Sequence, residues 1–467
     1  MPRSPRIIRL QVIALLLLIG ACDFDVINTD PNNPTDVPVS SLLPNAQMAL
    51  VFSELGTDPQ WFTSVLVQHT TGVHAQLNTM DQLAGITPSI LDNNFTSIFV
   101  GVLPDLEVII SKGTADESWN YVGIARTLKA FTFQHATDLF GRLPYRQATA
   151  GSSFLQPEYD SQQFIYDELQ TLLDEAIADL QRPTPTNAGM FDLLYQGDSA
   201  SWIRAAYSLK ARLYNRLSKR DGEASAMAAL ASAQNAFQTP DQDMIFEGYG
   251  AGATEQHPWF QERNERAHHA WSARLHALLA ENEDPRLDRW AQPMPDGEIV
   301  PAPNGIAELD QAGNLYSKLS GGLIHAEQIQ PIITYAEVQF IKAEALLRLG
   351  QAANALEEYR LALIAALEYA GVPQPEIEAL LARPAVLPED PGELTTELII
   401  EQKYLFFFPF QPAEAYSDWR RTGYPELINP RGSIPRRFPV GQAELDANPH
   451  AQNVPISDGV WWDDGTE

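Results

Sequence analysis

Cysteine is nearly missing from this chain: Cys22 is the single one in 467 residues. One thiol cannot form an internal disulfide, and it cannot build a cysteine-rich zinc site. Basic residues are also scarce, with 31 Lys and Arg against 60 Asp and Glu, for a formal net charge of −29. A surface so negative repels a phosphate backbone and has no basic stripe to offset the repulsion, so nucleic acid is not a partner. A glycine-rich phosphate loop, a serine nucleophile elbow and an HExxH helix are all absent. The nearest approach to a metal set is His268, His269 and His276. Adjacent histidines on a helix point about 100° apart, so these three read as a solvated helix face, and no cofactor is called for. Long apolar runs are lacking too. Val12 to Ile19 is about half of the roughly 20 residues needed to cross a bilayer, and no later stretch is read as apolar enough to span one. With hydrophobic residues at 45% and charged at 19%, the composition is globular rather than disordered.

That short run is nonetheless informative. Arg3, Arg6 and Arg9 precede it, Gly20 and Ala21 follow it, and Cys22 comes next, which is the layout of an export signal with a small-residue cleavage site. The arrangement resembles a bacterial lipobox. The resemblance implies cleavage after residue 21 and a lipid thioether on Cys22, which would then anchor the chain to a membrane. A single acyl chain binds only marginally, so the several chains of a lipoprotein are what a stable anchor needs. Residues 1–21 are thus read as signal and 22–39 as a tether. The Asp, Asn and Pro of Asn28 to Pro34 favour turns over helix. Residues 40–467 are read as a single domain.

Within the domain, apolar residues recur at helical spacing over Ser118–Phe140, Ser161–Leu180, Ser199–Lys219, Glu223–Phe237, Tyr335–Leu349 and Ala352–Tyr369. Asp58 and Pro59 read as a helix cap and first-turn proline ahead of Trp61. Ala343, Gly350, Ala355, Tyr359 and Ala362 follow the small–Gly–Ala–aromatic–Ala order of a tetratricopeptide helix pair. The alanines allow close approach, the glycine makes the turn, and the tyrosine fills the gap to the next pair. Ala211 and Tyr214 mark a more degenerate copy. Two stretches break the pattern. His69–Ser89 is polar with little period and is expected to be a surface loop, and about 239–330 is expected to be a loop-rich insertion with one helix near Arg263–Leu279. The expected class is mostly α, a tetratricopeptide-like scaffold of helix pairs with loop-rich insertions.

Four separated stretches resemble the SusD/RagB family of outer-membrane nutrient-binding lipoproteins of the Bacteroidota. They are Asn28 to Thr35 behind the lipobox, Asp138-Leu139-Phe140-Gly141-Arg142-Leu143-Pro144-Tyr145, Glu414 to Pro425, and Ile434 to Phe438 with Glu444 and Asn448. After Phe438, Pro439-Val440-Gly441 keeps only part of the family's usual aromatic-Pro continuation. The resemblance implies a non-catalytic subunit with a ligand site on the face opposite the repeats. It also implies a TonB-dependent, SusC-like barrel transporter as partner. Asp23 and Asp25 resemble the acidic signals that send such lipoproteins to the cell surface.

A sugar presents apolar faces fringed by hydroxyls, so its site needs flat rings with polar groups at their edge. Trp61 followed by His74, Gln76 and Asp81 fits, as do Trp259 and Phe260; the alternative is that these rings are local core. Glu414, Asp418, Trp419, Arg420 and Arg421 read as pairs that lock a terminal helix, not as a ligand site. Gly141 and Pro144 read as a helix stop. The function expected is capture of glycan or peptide fragments at the outer membrane. The competing readings are a surface-anchored glycoside hydrolase and a structural repeat adaptor.

Overall fold

The computed structural model describes residues 37–148 and 153–464, so Cys22 and the tether up to residue 36 lie outside the described residues. The chain is mostly helical. In order come α1 (Val39–Ala49), α2 (Asp58–Leu66), α3 (Ala75–Asp81), α4 (Leu103–Ala115), α5 (Trp119–Phe140), α6 (Gln162–Leu180), α7 (Ser199–Arg216) and α8 (Gly222–Ala233). They continue with α9 (Ala273–Glu281), α10 (Tyr335–Arg348), α11 (Ala352–Tyr369), α12 (Gln374–Leu381), α13 (Thr396–Phe407) and α14 (Pro412–Thr422). Shorter helical turns lie between them. Six short strands are β1 (Thr70–Gly72), β2 (Met244–Phe246), β3 (His269–Trp271), β4 (Ala291–Gln292), β5 (Lys318–Leu319) and β6 (Gln330–Ile333). They form three antiparallel pairs, β1 with β3, β2 with β6 and β4 with β5.

The scaffold is three stacked helix pairs, α5 with α6, α7 with α8 and α10 with α11. Neighbouring pairs meet through α6 against α7 and α8 against α10. Caps start these helices where the periodicity predicts. Ser161 accepts from the Phe164 amide at 3.2 Å, Asp198 from Ser201 at 2.9 Å, and Thr334 from Glu337 at 3.3 Å, each satisfying an amide that the first turn leaves open. Ala343, Ala355, Tyr359 and Ala362 are fully buried. Gly350 turns between α10 and α11 at φ +71°, which a residue with a Cβ rarely adopts. The tetratricopeptide-like reading therefore holds. Gly141 stops α5 at φ +84°, ψ −123°, outside the left-handed cap region but still glycine territory.

Five expectations are corrected. The stretch from His69 is no surface loop: His69, Thr70 and Thr71 are buried. β1 pairs there with β3, 199 residues away, and α3 follows. Arg263–Leu279 is not one helix, because Ala267 turns left-handed at φ +54° and the chain extends through β3 before α9. His268, His269 and His276 therefore share no helix face. Asp58 is the first helical residue of α2, whose cap position is Thr57. Lastly, the helical stretch Pro88–Ala115 is long and apolar enough to cross a membrane by length and composition, with mean hydropathy 1.4. Some 39% of that apolar window is buried, Leu103, Leu106 and Ile109 among it, and α4 packs on α1 and α5.

The elements meet at a buried cluster of charges. Arg212 of α7 grips Glu337 of α10 with two bonds, at 2.6 and 2.7 Å, and reaches Glu414 of α14 at 3.3 Å. Arg216, one turn on, pairs with Glu414, with Asp418 at 3.3 Å and with Asp138 of α5 at 3.3 Å. Lys403 of α13 holds Asp418 at 2.8 Å, and Arg421 holds Glu344 at 2.7 Å. The expectation that Glu414, Asp418 and Arg421 lock the terminal helix is what the geometry delivers. Burial alone would raise the Glu414 carboxyl, yet Arg212, Arg216 and Gln134 bring it down to about 2. Asp418 is likewise held far below the usual range against its burial by Lys403, Arg421 and Arg216.

Glu414→Gln leaves two arginines short of charge in a dry site and should lose about 3–5 kcal/mol at pH 7 by urea denaturation. A carboxyl at about 2 in the fold and 4.5 ordinarily contributes stability that is complete above pH 4.5 and is lost as pH falls through about 2. The gap between parent and variant should therefore narrow over that window, and a gap that is constant from pH 7 to 2 would contradict the assignment.

Candidate functional site

On one side of the scaffold, three segments distant in sequence are tied together: α3, the turn at Asn304 and Gly305, and the chain from Leu427 to Arg436. Asp81, at the end of α3, accepts the Gly305 amide on Oδ2 at 2.6 Å. Asn429 donates to the Asp81 carbonyl at 2.8 Å, and Arg431 donates to the Gly305 carbonyl at 2.9 Å. Gln68 donates to the Ile428 carbonyl at 2.7 Å, and Asn304 to the Thr71 hydroxyl at 2.8 Å. Short polar side chains carry these contacts because they can bond loop backbone without helix or sheet. Burial lifts the Asp81 carboxyl to about 7, although the Gly305 amide and the Asn304 side chain pull it down.

The tied loops wall a cleft of about 640 Å³, lined among others by Leu83, Trp419, Leu427, Ile428, Asn429 and Arg436. Trp419 comes from α14, the helix whose other face carries the buried charges. Successive helical positions turn by about 100°, so while Asp418 and Arg421 face inward, Trp419 is half-exposed at the cleft. Its ring stacks on Tyr416 with centroids 6.1 Å apart and an interplanar angle of 20°. The Arg436 guanidinium sits 5.7 Å from its centroid. Tyr416 in turn donates to the Pro435 carbonyl at 2.6 Å, which fixes the wall. The result is an aromatic ring braced by its neighbours in a cleft whose lining also holds amide and hydroxyl groups, in a volume typical of small-molecule sites.

The residues expected at a ligand site are distributed differently. Trp61 and Trp259 do come together, edge to face at 6.4 Å, but they are 7% and 1% exposed. Trp259 also packs on His269 at 4.9 Å, and Arg266 lies 5.6 Å from the Trp61 ring. Enclosed rings offer no face to a ligand, so both tryptophans are core and not stacking platforms. Phe260 is half-buried against that core. Asp81 is a buried tie between loops and not a polar fringe. His74 is half-buried with its ring 4.9 Å from that of His268, and Gln76 is exposed at the start of α3. Burial, with His74 and Arg266 nearby, lowers the His268 pKa. Among the described residues no group of three or more His, Cys, Asp or Glu is placed to hold a metal ion. Trp419 and the chain from Leu427 to Arg436, which line the cleft, are not among the residues that the sequence offers for a ligand site. The sequence signal for Trp419 was its place between two inward-facing charges on an amphipathic helix.

Comparison with known proteins agrees with this architecture. A family described as SusD-like, starch-binding and associating with the outer membrane, matches residues 31–439. A SusD/RagB family protein of Bacteroides thetaiotaomicron superposes with a TM-score of 0.82 at 26% identity, covering 92% of this chain and all of its own. A chitin-binding protein gives 0.76 at 24%, covering 91% and 100%. A chitin-binding SusD homolog of Flavobacterium johnsoniae gives 0.76 at 21%, covering 91% and 99%. The last two, below 25% identity, speak for the fold alone. No curated protein sequence matches the chain. With a helix-pair scaffold, a loop-built cleft on it and a family match over nearly its whole length, this chain belongs to the SusD-like family.

Proposed function

We propose that this protein binds glycan fragments at the outer membrane without cleaving them and passes them to a TonB-dependent, SusC-like barrel transporter. The observation that carries the reading is the half-buried Trp419 ring lining the cleft, with Asn429 and Ser433 in the same lining. A pyranose can lay its apolar face on the indole while amide and hydroxyl groups meet its edge. The described lining contains no Asp or Glu, whereas glycoside hydrolysis calls for a pair of carboxylates flanking the bond. That supports binding over the hydrolase reading. A peptide is the second candidate ligand, favoured by Ile428 in the wall and Ile306 beside Gly305, which are 70% and 55% exposed.

Membrane attachment through Cys22 rests on the lipobox, and the family's association with the outer membrane supports it. An anchored binder supplies neither a pore nor energy, so transport needs a second protein. Holding a ligand between two partial sites raises its effective concentration for transfer. His74, Gln76 and Phe260 would extend contacts beyond the cleft.

Calorimetry against a panel of oligosaccharides and peptides should detect one ligand class. Trp419→Ala should weaken that binding by about 1–3 kcal/mol, as loss of a desolvated ring does. Trp259→Leu should lower the melting temperature and leave affinity intact. Equal affinity for the Trp419 variant, or new reducing ends released by pure protein, would overturn the reading. Cys22→Ser should move the protein from the membrane to the soluble fraction. A parent protein solubilised in mild detergent should co-purify with a large barrel, and a free monomer with unchanged nutrient uptake in a deletion strain would remove the transporter role.

A further inference from the structure

A second pair of cavities lies elsewhere, on the scaffold itself, between the end of α11 and the chain leaving α13. One, of about 450 Å³, is walled by Trp290, Tyr369, Phe406, Phe408 and Phe410. The other, of about 300 Å³, is bordered by Asp243, Ala365, Glu368 and again Tyr369. They share Ile329, Tyr369 and Phe406 in their lining, so they adjoin, and together they are treated as one groove. None of these residues belongs to the Trp419 cleft.

The groove has chemistry as well as shape. The Tyr369 hydroxyl oxygen is enclosed and has no hydrogen-bond partner among the described residues. A buried hydroxyl left unmade costs about 1–3 kcal/mol, and such exceptions call for an explanation. Asp243 uses Oδ1 to accept the Tyr335 amide at 2.5 Å, and no described group donates to its Oδ2. One end of the groove is therefore largely aromatic, with Arg289, paired to Glu376 at 3.0 Å, at its border, and the other carries the carboxylates of half-buried Asp243 and exposed Glu368. We propose that this groove is a second ligand site, for an arylalkyl ammonium: the ring enters among Trp290, Phe406 and Phe408, and the ammonium donates to Asp243 Oδ2 and the Tyr369 hydroxyl. Ammonium near tyrosine and phenylalanine rings also gains cation–π attraction, and the acidic chain as a whole draws cations. Burial, with Asp241 and Glu337 adding to it, lifts the Asp243 carboxyl to about 7 despite the Tyr335 amide, and an ammonium seated beside it would draw out its charged form.

Tryptamine is the probe, with 3-ethylindole as the analogue that keeps the ring and lacks the charge. Titration of the full mature chain, followed by calorimetry, should show saturable one-to-one tryptamine binding. Asp243→Asn, which retains the acceptor for the Tyr335 amide, should weaken tryptamine at least tenfold, leave 3-ethylindole unaffected and leave glycan affinity unchanged. Ala366→Leu, which fills the aromatic end, should abolish binding of both probes. Absence of saturation at millimolar tryptamine would overturn the proposal. So would equal weakening of the two probes by Asp243→Asn. If Ala366→Leu fails to fold, the Asp243→Asn comparison decides alone.

Discussion

The structure depends on Arg216. Its guanidinium, 3% exposed, stands among Asp138, Glu414 and Asp418, so that α5, α7 and α14 share one charge. Arg212, a turn away, extends the tie to α10, and Lys403 extends it to α13. Ions in such a place owe their stability to mutual geometry, because each would be costly alone. The helix pairs could stack by apolar contact in more than one register. In the stacking observed the buried charges are paired with one another, and a register that separated them would leave ions uncompensated in a dry interior.

The same anchoring gives the cleft its shape. Asp418 and Arg421 are held inward, so Trp419 on the same helix has a single outward bearing, and Tyr416 bonding to the Pro435 carbonyl fixes the loop opposite. The site is thus partly a by-product of the scaffold's electrostatics. Its other wall is irregular chain made rigid by side-chain ties to backbone, with Asp81 and Asn429 as the main knots.

What could be read from the sequence follows from range. Ala343, Gly350 and Ala355 act within one helix pair, so their spacing carries the whole message. Strand β1 meets β3 across 199 residues, and nothing in Thr70 or Thr71 announces a partner so distant. Trp61 and Trp259 look like ligand rings because flanking polar residues are near in sequence, yet burial is set by what packs on them from afar. Trp419 was assigned to packing with its neighbours. The rotation between successive helical residues separates it from them, and that distinction is legible once the inward face is known.

The distances along the chain between charged partners have a temporal consequence. Gln134 reaches Glu414 across 280 positions, and the Trp462 indole donates to Asp138 across 324. Closing loops of that length is entropically slow. The centre also stays incomplete while the last fifth of the polypeptide is still on the ribosome. Such a centre cannot lock prematurely as the chain is made.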